Sequence, residues 1–220
     1  MKKGTMMKKG IMVCMVELEL RDAKGRLVKR RRFRSKSYVA NFIRTLRRFA
    51  IGVTSTGSYG TRYYNTTGTE PVDTGGTARG FFIGAHTSTF TYNWIKMDAG
   101  SGDSTHGIRV GTGTSAPTPT DYDLGALIAH GTGAGQLQYG ASTIEATQIV
   151  DSTTSFRIVR TFTNASGSTI TVKEIGLVYS TYIASTTIGY IMIAKDLLGS
   201  PVDVLNGQTL TVRYIPSVTT

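Results

Sequence analysis

One cysteine, three histidines, five prolines, one tryptophan and only 14 acidic residues occur in this chain of 220, against 25 lysines and arginines. A lone thiol, Cys14, makes no intrachain disulfide, and so few histidines cannot build a Cys/His zinc cage. The fold must therefore be held by packing and hydrogen bonds, helped by neighbouring subunits. At 18% charged residues the chain is neither a coiled coil nor a charge-rich disordered segment. No window reaches the roughly 20 consecutive apolar residues of a membrane helix. Residues 1–16 imitate a secretory signal, with lysines before the apolar run Ile11-Met-Val-Cys-Met-Val16. That run is too short, no small-x-small cleavage site follows, and the next stretch is charged, so the expectation is a chain made in the cytosol and working there or in an assembly built there.

What is abundant is glycine, 26 residues, together with Thr and Ser. This is the palette of short strands joined by tight turns, and 220 residues suit one β-rich domain with or without an arm. The basicity is local. Residues 1–50 hold 16 Lys/Arg against Glu17, Glu19 and Asp22, a net +13, and the other 170 residues are left with −2. Clustered like charges repel unless something neutralises them, so the asymmetry reads as a polyanion- or partner-facing segment on a near-neutral body.

Val16-Glu17-Leu18-Glu19-Leu20 alternates with period two and predicts a half-buried strand. Asp22–Gly25 supplies turn chemistry, and Arg26–Arg34 returns as the second strand of a hairpin. The spacing puts Arg30, Arg32 and Arg34 on one side. With Arg31 and Lys36 they form the candidate phosphate- or partner-facing patch, salt-sensitive and blind to base sequence. Between Ser35 and Ala50 the period becomes helical. Tyr38, Phe42, Ile43, Leu46 and Phe49 form a stripe expected to dock on the body or a neighbour, with Ser35 or Ser37 as cap and Gly52 as stop. Residues 53–78 lack periodicity and read as an arm whose Tyr59, Tyr63 and Tyr64 suit an inter-subunit contact.

The body, residues 79–220, opens with Phe81-Phe-Ile83 and a strand over Thr89–Lys96. Further strands are expected at Ile108–Val110, Gln136–Tyr139, Phe156–Thr163, Thr169–Tyr179, Ile188–Ala194 and Thr209–Ile215. Asn164-Ala-Ser-Gly167 reads as the turn of a hairpin, and Asn206-Gly207 as the turn before the last strand.

Groups that do chemistry are sparse. Gly111-Thr-Gly-Thr and Gly131-Thr-Gly-Ala-Gly lack the Lys-Ser/Thr of a phosphate loop and read as turns between strands. Cys14 sits among apolar residues, no Gly-x-Ser-x-Gly elbow is present, and His86, His106 and His130 have no evident nucleophile to serve. His106 beside Asp103 imitates a ligand pair but reads as a solvated loop residue, and Asp121 and Asp123 lie in a Pro/Thr turn where Asp acts as a cap. The Asn65-Thr-Thr and Asn164-Ala-Ser sequons read as chance. No catalytic, cofactor-binding or metal-binding residue is assigned.

Two stretches carry a resemblance. Ile108-Arg-Val-Gly-Thr-Gly-Thr-Ser-Ala-Pro-Thr-Pro-Thr-Asp-Tyr-Asp-Leu-Gly-Ala-Leu-Ile128 and Phe156-Arg-Ile-Val-Arg-Thr-Phe-Thr-Asn-Ala-Ser-Gly-Ser-Thr-Ile-Thr-Val-Lys-Glu-Ile-Gly-Leu177 resemble a pattern of virion structural proteins in tailed bacterial and archaeal viruses. Ile193–Tyr214 is similar to the end of that pattern. The resemblance implies a mainly β protein with an antiparallel β-sandwich or jelly-roll-like body, no catalysis and no cofactor. Its partners would be copies of itself and other virion proteins, with packaged DNA a further partner for the basic N-terminus, and no membrane. The expected organisation is a hairpin-plus-helix anchor over residues 1–52, the arm and the body. The expected role is a capsid decoration or minor capsid protein in the virion, with a tail, collar or fibre protein as the alternative. A nonspecific nucleic-acid-binding protein is the competing class. A carbohydrate-binding or depolymerising fibre enzyme would have to draw on Trp94, Asp98, Asp103, Asp121 and Asp123.

Overall fold

Alternation along the first strand decides which sheet the N-terminus joins. In β1 (Ile11–Arg21), Val16, Leu18 and Leu20 are buried on one side, and the chain then turns at Asp22–Gly25 into β2 (Leu27–Arg34). Gly25 takes a φ of 77°, open to glycine at little cost, and the Asp22 carboxylate accepts the backbone N–H groups of Lys24 and Arg26, each at 2.9 Å. The structure, a computed structural model, describes residues 11–51, 66–67, 95–182 and 188–220.

The other edge of β1 pairs antiparallel along its whole length with the last strand, β11 (Thr209–Thr219), from Ile11 opposite Thr219 to Arg21 opposite Thr209. Beyond β11 the sheet forks. β8 (Ile158–Thr163) lines the first half of β11 and carries β4 (Gln138–Tyr139) and β5 (Thr143–Ile144). β7 (Thr153–Ser155) lines its end and carries β6 (Gln148–Val150). A second antiparallel sheet runs β10 (Ile188–Val204), β9 (Ile170–Tyr182), β3 (Gly107–Gly111). The apolar faces of the two sheets form the core, with Val16, Leu18, Phe162, Leu210 and Val212 from the first and Ile108, Val110, Ile175, Leu177 and Ile191 from the second. The protein is mainly β and antiparallel, a sandwich with an N-terminal hairpin and, among the described residues, one helix, as the sequence predicts.

Three local expectations need correcting. The strands at 158–163 and 170–182 do not form a hairpin, because β8 pairs with β11 and β9 with β10 and β3. The chain crosses between sheets at Asn164, which is fully buried. Its Nδ2 donates to the carbonyls of Ser168 (2.7 Å) and Val204 (2.6 Å), and its Oδ1 accepts the N–H and hydroxyl of Ser166. A side chain so committed cannot carry a glycan.

The helix, α1 (Ala40–Ile51), begins five residues later than the sequence suggests. Ser35 does not cap it, because its hydroxyl donates to buried Asp196 at 2.8 Å, and residues 35–39 run extended beside β10. There the Lys195 N–H donates to the Ser37 carbonyl and the Val39 N–H to the Ile193 carbonyl. The basic hairpin, set apart by charge as an anchor, supplies two strands of the main sheet, since charge on the outward face of a strand says nothing about its inward one.

Of the 53–78 arm only Thr66 and Thr67 are described, with the Thr66 N–H donating to the Tyr190 carbonyl at 2.9 Å. Tyr59, Tyr63, Tyr64, Phe81–Ile83 and nearly all of Thr89–Lys96 lie outside the described residues. No helix among the described residues is long and apolar enough to cross a membrane.

Candidate functional site

The cationic strand β2 is an edge strand, and its cations divide between two faces because side chains alternate. Arg30, Arg32 and Arg34 stand opposite Glu19, Glu17 and Met15 of β1, on the outer face of the sheet. Arg30 pairs with Glu17 at 2.7 Å. Arg213 of β11 reaches the other oxygen of Glu17 at 3.1 Å and Glu19 at 3.5 Å, and Arg21 closes on Glu19 at 2.6 Å. Burial works against the Glu17 carboxylate, but Arg30, Arg213 and Arg32 outweigh it and hold its pKa below the ordinary value. Arg31 points to the opposite face, where its guanidinium donates to the Ser200 carbonyl of β10. Lys36 lies past the strand, its backbone N–H 3.3 Å from Asp196. The five residues are therefore a strip with two faces. Arg32, Arg34 and Lys36, exposed and without an ion pair among the described residues, are the cations of this patch left for a partner.

The loop that carries the first part of the resemblance is folded around one carboxylate. Glu174 of β9 is fully buried, and accepts the N–H groups of Gly113 (3.0 Å), Ala126 (2.9 Å) and Gly125 (3.1 Å). Lys195 of β10, also buried, lies 3.8 Å from Glu174 and 3.0 Å from Asp121. Burial opposes the Asp121 carboxylate, yet the Thr118 N–H and hydroxyl and the Lys195 ammonium hold its pKa low. Arg109 of β3 grips Asp123 at 2.6 Å, although burial wins there and raises the Asp123 pKa. Gly111 and Gly113 are glycines because Glu174 passes so close. A Cβ on Gly111 would sit 2.6 Å from Glu174 Oε1, and one on Gly113 would collide with the same atom. The turn reading of Gly111-Thr-Gly is thus refined to a close approach of backbone and carboxylate, and the Asp residues are clamps.

A second knot surrounds Arg160 of β8, which no solvent reaches. Its donors go to backbone carbonyls, Gly140 (2.9 Å), His106 (2.8 Å), Ile108 (3.1 Å), Gly100 (3.2 Å) and Asp103, and its guanidinium lies 4.8 Å from the Tyr139 ring centre. Without a carboxylate in direct contact, desolvation lowers its pKa to about 10. His106 is not the solvated loop residue expected. It is buried, its Nδ1 is 3.1 Å from Asp103, its ring stacks on Tyr190, and burial pushes its pKa down. Cys14 is buried as expected and its thiol pKa is raised by burial, the opposite of what a nucleophile requires. No group of three or more His, Cys, Asp or Glu among the described residues is placed to hold a metal.

The helix stripe divides. Tyr38 and Phe42 stack with ring centres 4.3 Å apart and pack against the core, whereas Ile43 (61% exposed) and Leu46 (44%) face away; the Phe49 side chain lies outside the described ones. The helix instead buries the polar Asn41 and Thr45, the latter bonding to the Tyr179 hydroxyl at 3.1 Å. Sequence reasoning missed this face because it weighs apolar residues alone. It also missed β6, whose Ile149 and Val150 are largely exposed, since three residues are too few to show a period.

Comparison with family models, with curated proteins and with solved structures finds no match for this chain.

Proposed function

We propose that this chain is a non-catalytic structural component of a virus particle, a capsid decoration or minor capsid protein working through subunit contacts. The observation that carries the reading is the Glu174 lock. The residues bearing the resemblance are spent on one another, with Glu174, Asp121, Asp123, Lys195 and Arg109 all engaged in holding a loop to a sheet. Such an arrangement suits a rigid module that presents surfaces. A tail, collar or fibre protein would use the same module. The competing reading, a nonspecific nucleic-acid binder, is favoured by Arg32, Arg34 and Lys36, which are exposed and form no direct ion pair among the described residues.

Light scattering at low and high salt, with and without DNA, separates the two. A closed, salt-resistant oligomer indifferent to DNA supports the particle role. A protein that gains mass only on DNA and loses it in salt, with the gain abolished by Arg32→Gln and Arg34→Gln, overturns it.

A further inference from the structure

Two of the outer strands of the first sheet, β2 and β6, are defended differently. The β2 edge carries Lys29, Arg30, Arg31, Arg32 and Arg34, so a second copy laid against it would set cations opposite cations. The β6 edge has no such guard. Its three residues, Gln148, Ile149 and Val150, are uncharged and all exposed, without proline or a register shift, and among the described residues no strand lies beyond it.

The same end of the sheet is apolar. Pairing places Met12 (β1), Val218 (β11), Thr154 (β7) and Ile149 (β6) in one cross-strand row. By the two-residue period of β1, this row lies on the face that buries Cys14, Val16 and Leu18 farther along. The second sheet does not cover it there. Met12 is 53% exposed, Val218 42% and Ile149 76%.

We infer that β6 pairs antiparallel with β6 of a second copy across a two-fold axis, with Ile149 opposite its own counterpart and Gln148 opposite Val150. The sequence Gln-Ile-Val is self-complementary in this register. It places no charge opposite a charge, and it sets two exposed β-branched side chains side by side in a row continued through both subunits. A charged partner would find nothing on this strand to neutralise it. At the far end of that row of strands each copy presents its cationic β2, which repels further copies along that edge.

The inference names the partner for the subunit contacts on which the proposed role rests. Sedimentation of the full chain over a concentration series tests it, with Ile149→Lys and Ile149→Cys alongside. The expected result is a monomer–dimer equilibrium that Ile149→Lys weakens at least tenfold, and an Ile149→Cys protein that oxidises to a covalent dimer while Cys14 stays buried. Wild-type protein that remains monomeric at every concentration overturns the pairing. So does an oligomer unchanged by Ile149→Lys and not cross-linked by Ile149→Cys, although the particle role then survives. A lysine at a site so exposed leaves the fold intact, which the cooperative unfolding of the variant verifies.

Discussion

Glu174 shows how one side chain fixes a long loop. Three backbone N–H groups and a lysine converge on a carboxylate that water does not reach, so removing it strands several buried donors and one ammonium together. Glu174→Ala should lower the unfolding free energy by about 3–5 kcal/mol in denaturant titrations. A loss under about 1 kcal/mol would mean the loop is held by something else. His106 gives a prediction in pH. Burial lowers its pKa more than Asp103 raises it, so the folded state resists its protonation. A group whose folded pKa is depressed contributes stability that is fully present above the unfolded value, about 6.5 for histidine, and lost as pH falls through the folded one. Asp123 and Asp196, raised by burial, act with the opposite sign, and Asp103, Glu17 and Asp121, held low, act mainly below about pH 4. The informative quantity is therefore a difference. Between about pH 7.5 and 5.5 the wild type should lose more stability than His106→Asn, and equal losses would remove histidine from the account.

Helix α1 makes the distinction between a pattern and a contact measurable. Val39, just ahead of it, is buried with Leu124, Val178 and Met192, whereas Ile43 and Leu46 are exposed. Val39→Ala should cost about 1–3 kcal/mol, and Ile43→Ser or Leu46→Ser within about 0.5 kcal/mol. Thermal melts of the three variants test this, and a large loss at Ile43 would show that the stripe read from the sequence docks after all. Strands and the Gly25 and Gly207 turns were legible because alternation and turn chemistry are local. Partners were not. Whether β8 turns back on β9 or crosses to another sheet depends on the capacity of Asn164 to satisfy four bonds, which the string Asn-Ala-Ser-Gly does not distinguish from an ordinary turn. The Glu174 lock was equally hidden, although the two glycines and the lysine it needs are all in the resembling stretches. The backbone N–H groups that meet Glu174 lie 48 to 61 residues from it along the chain, so their meaning is one of proximity in space.

At the scale of the whole molecule, charge and fold are partitioned differently. The first 50 residues carry a net +13, yet β1 is flanked on both edges by partners, sharing an eleven-residue register with the last strand. Its inward residues Val16, Leu18 and Leu20 are 0–5% exposed, and burying each is worth roughly 1.5–3 kcal/mol. Together they rival the margin of about 5–15 kcal/mol by which a domain stays folded. On the inward side β1 is therefore core, while on the outward side Glu17 and Glu19 hold the arginines of β2 and β11 in register. A chain cut to residues 79–220 should not behave as an independent body with its anchor removed. It would expose one edge of β11 along its length together with the apolar residues beneath β1. We expect it to lose near-ultraviolet circular dichroism and cooperative melting, and adding back a peptide of residues 1–36 should restore both in part. A fragment that melts cooperatively by itself, with the transition of the full chain, would show that the hairpin is dispensable to the sandwich and restore the division that charge suggests.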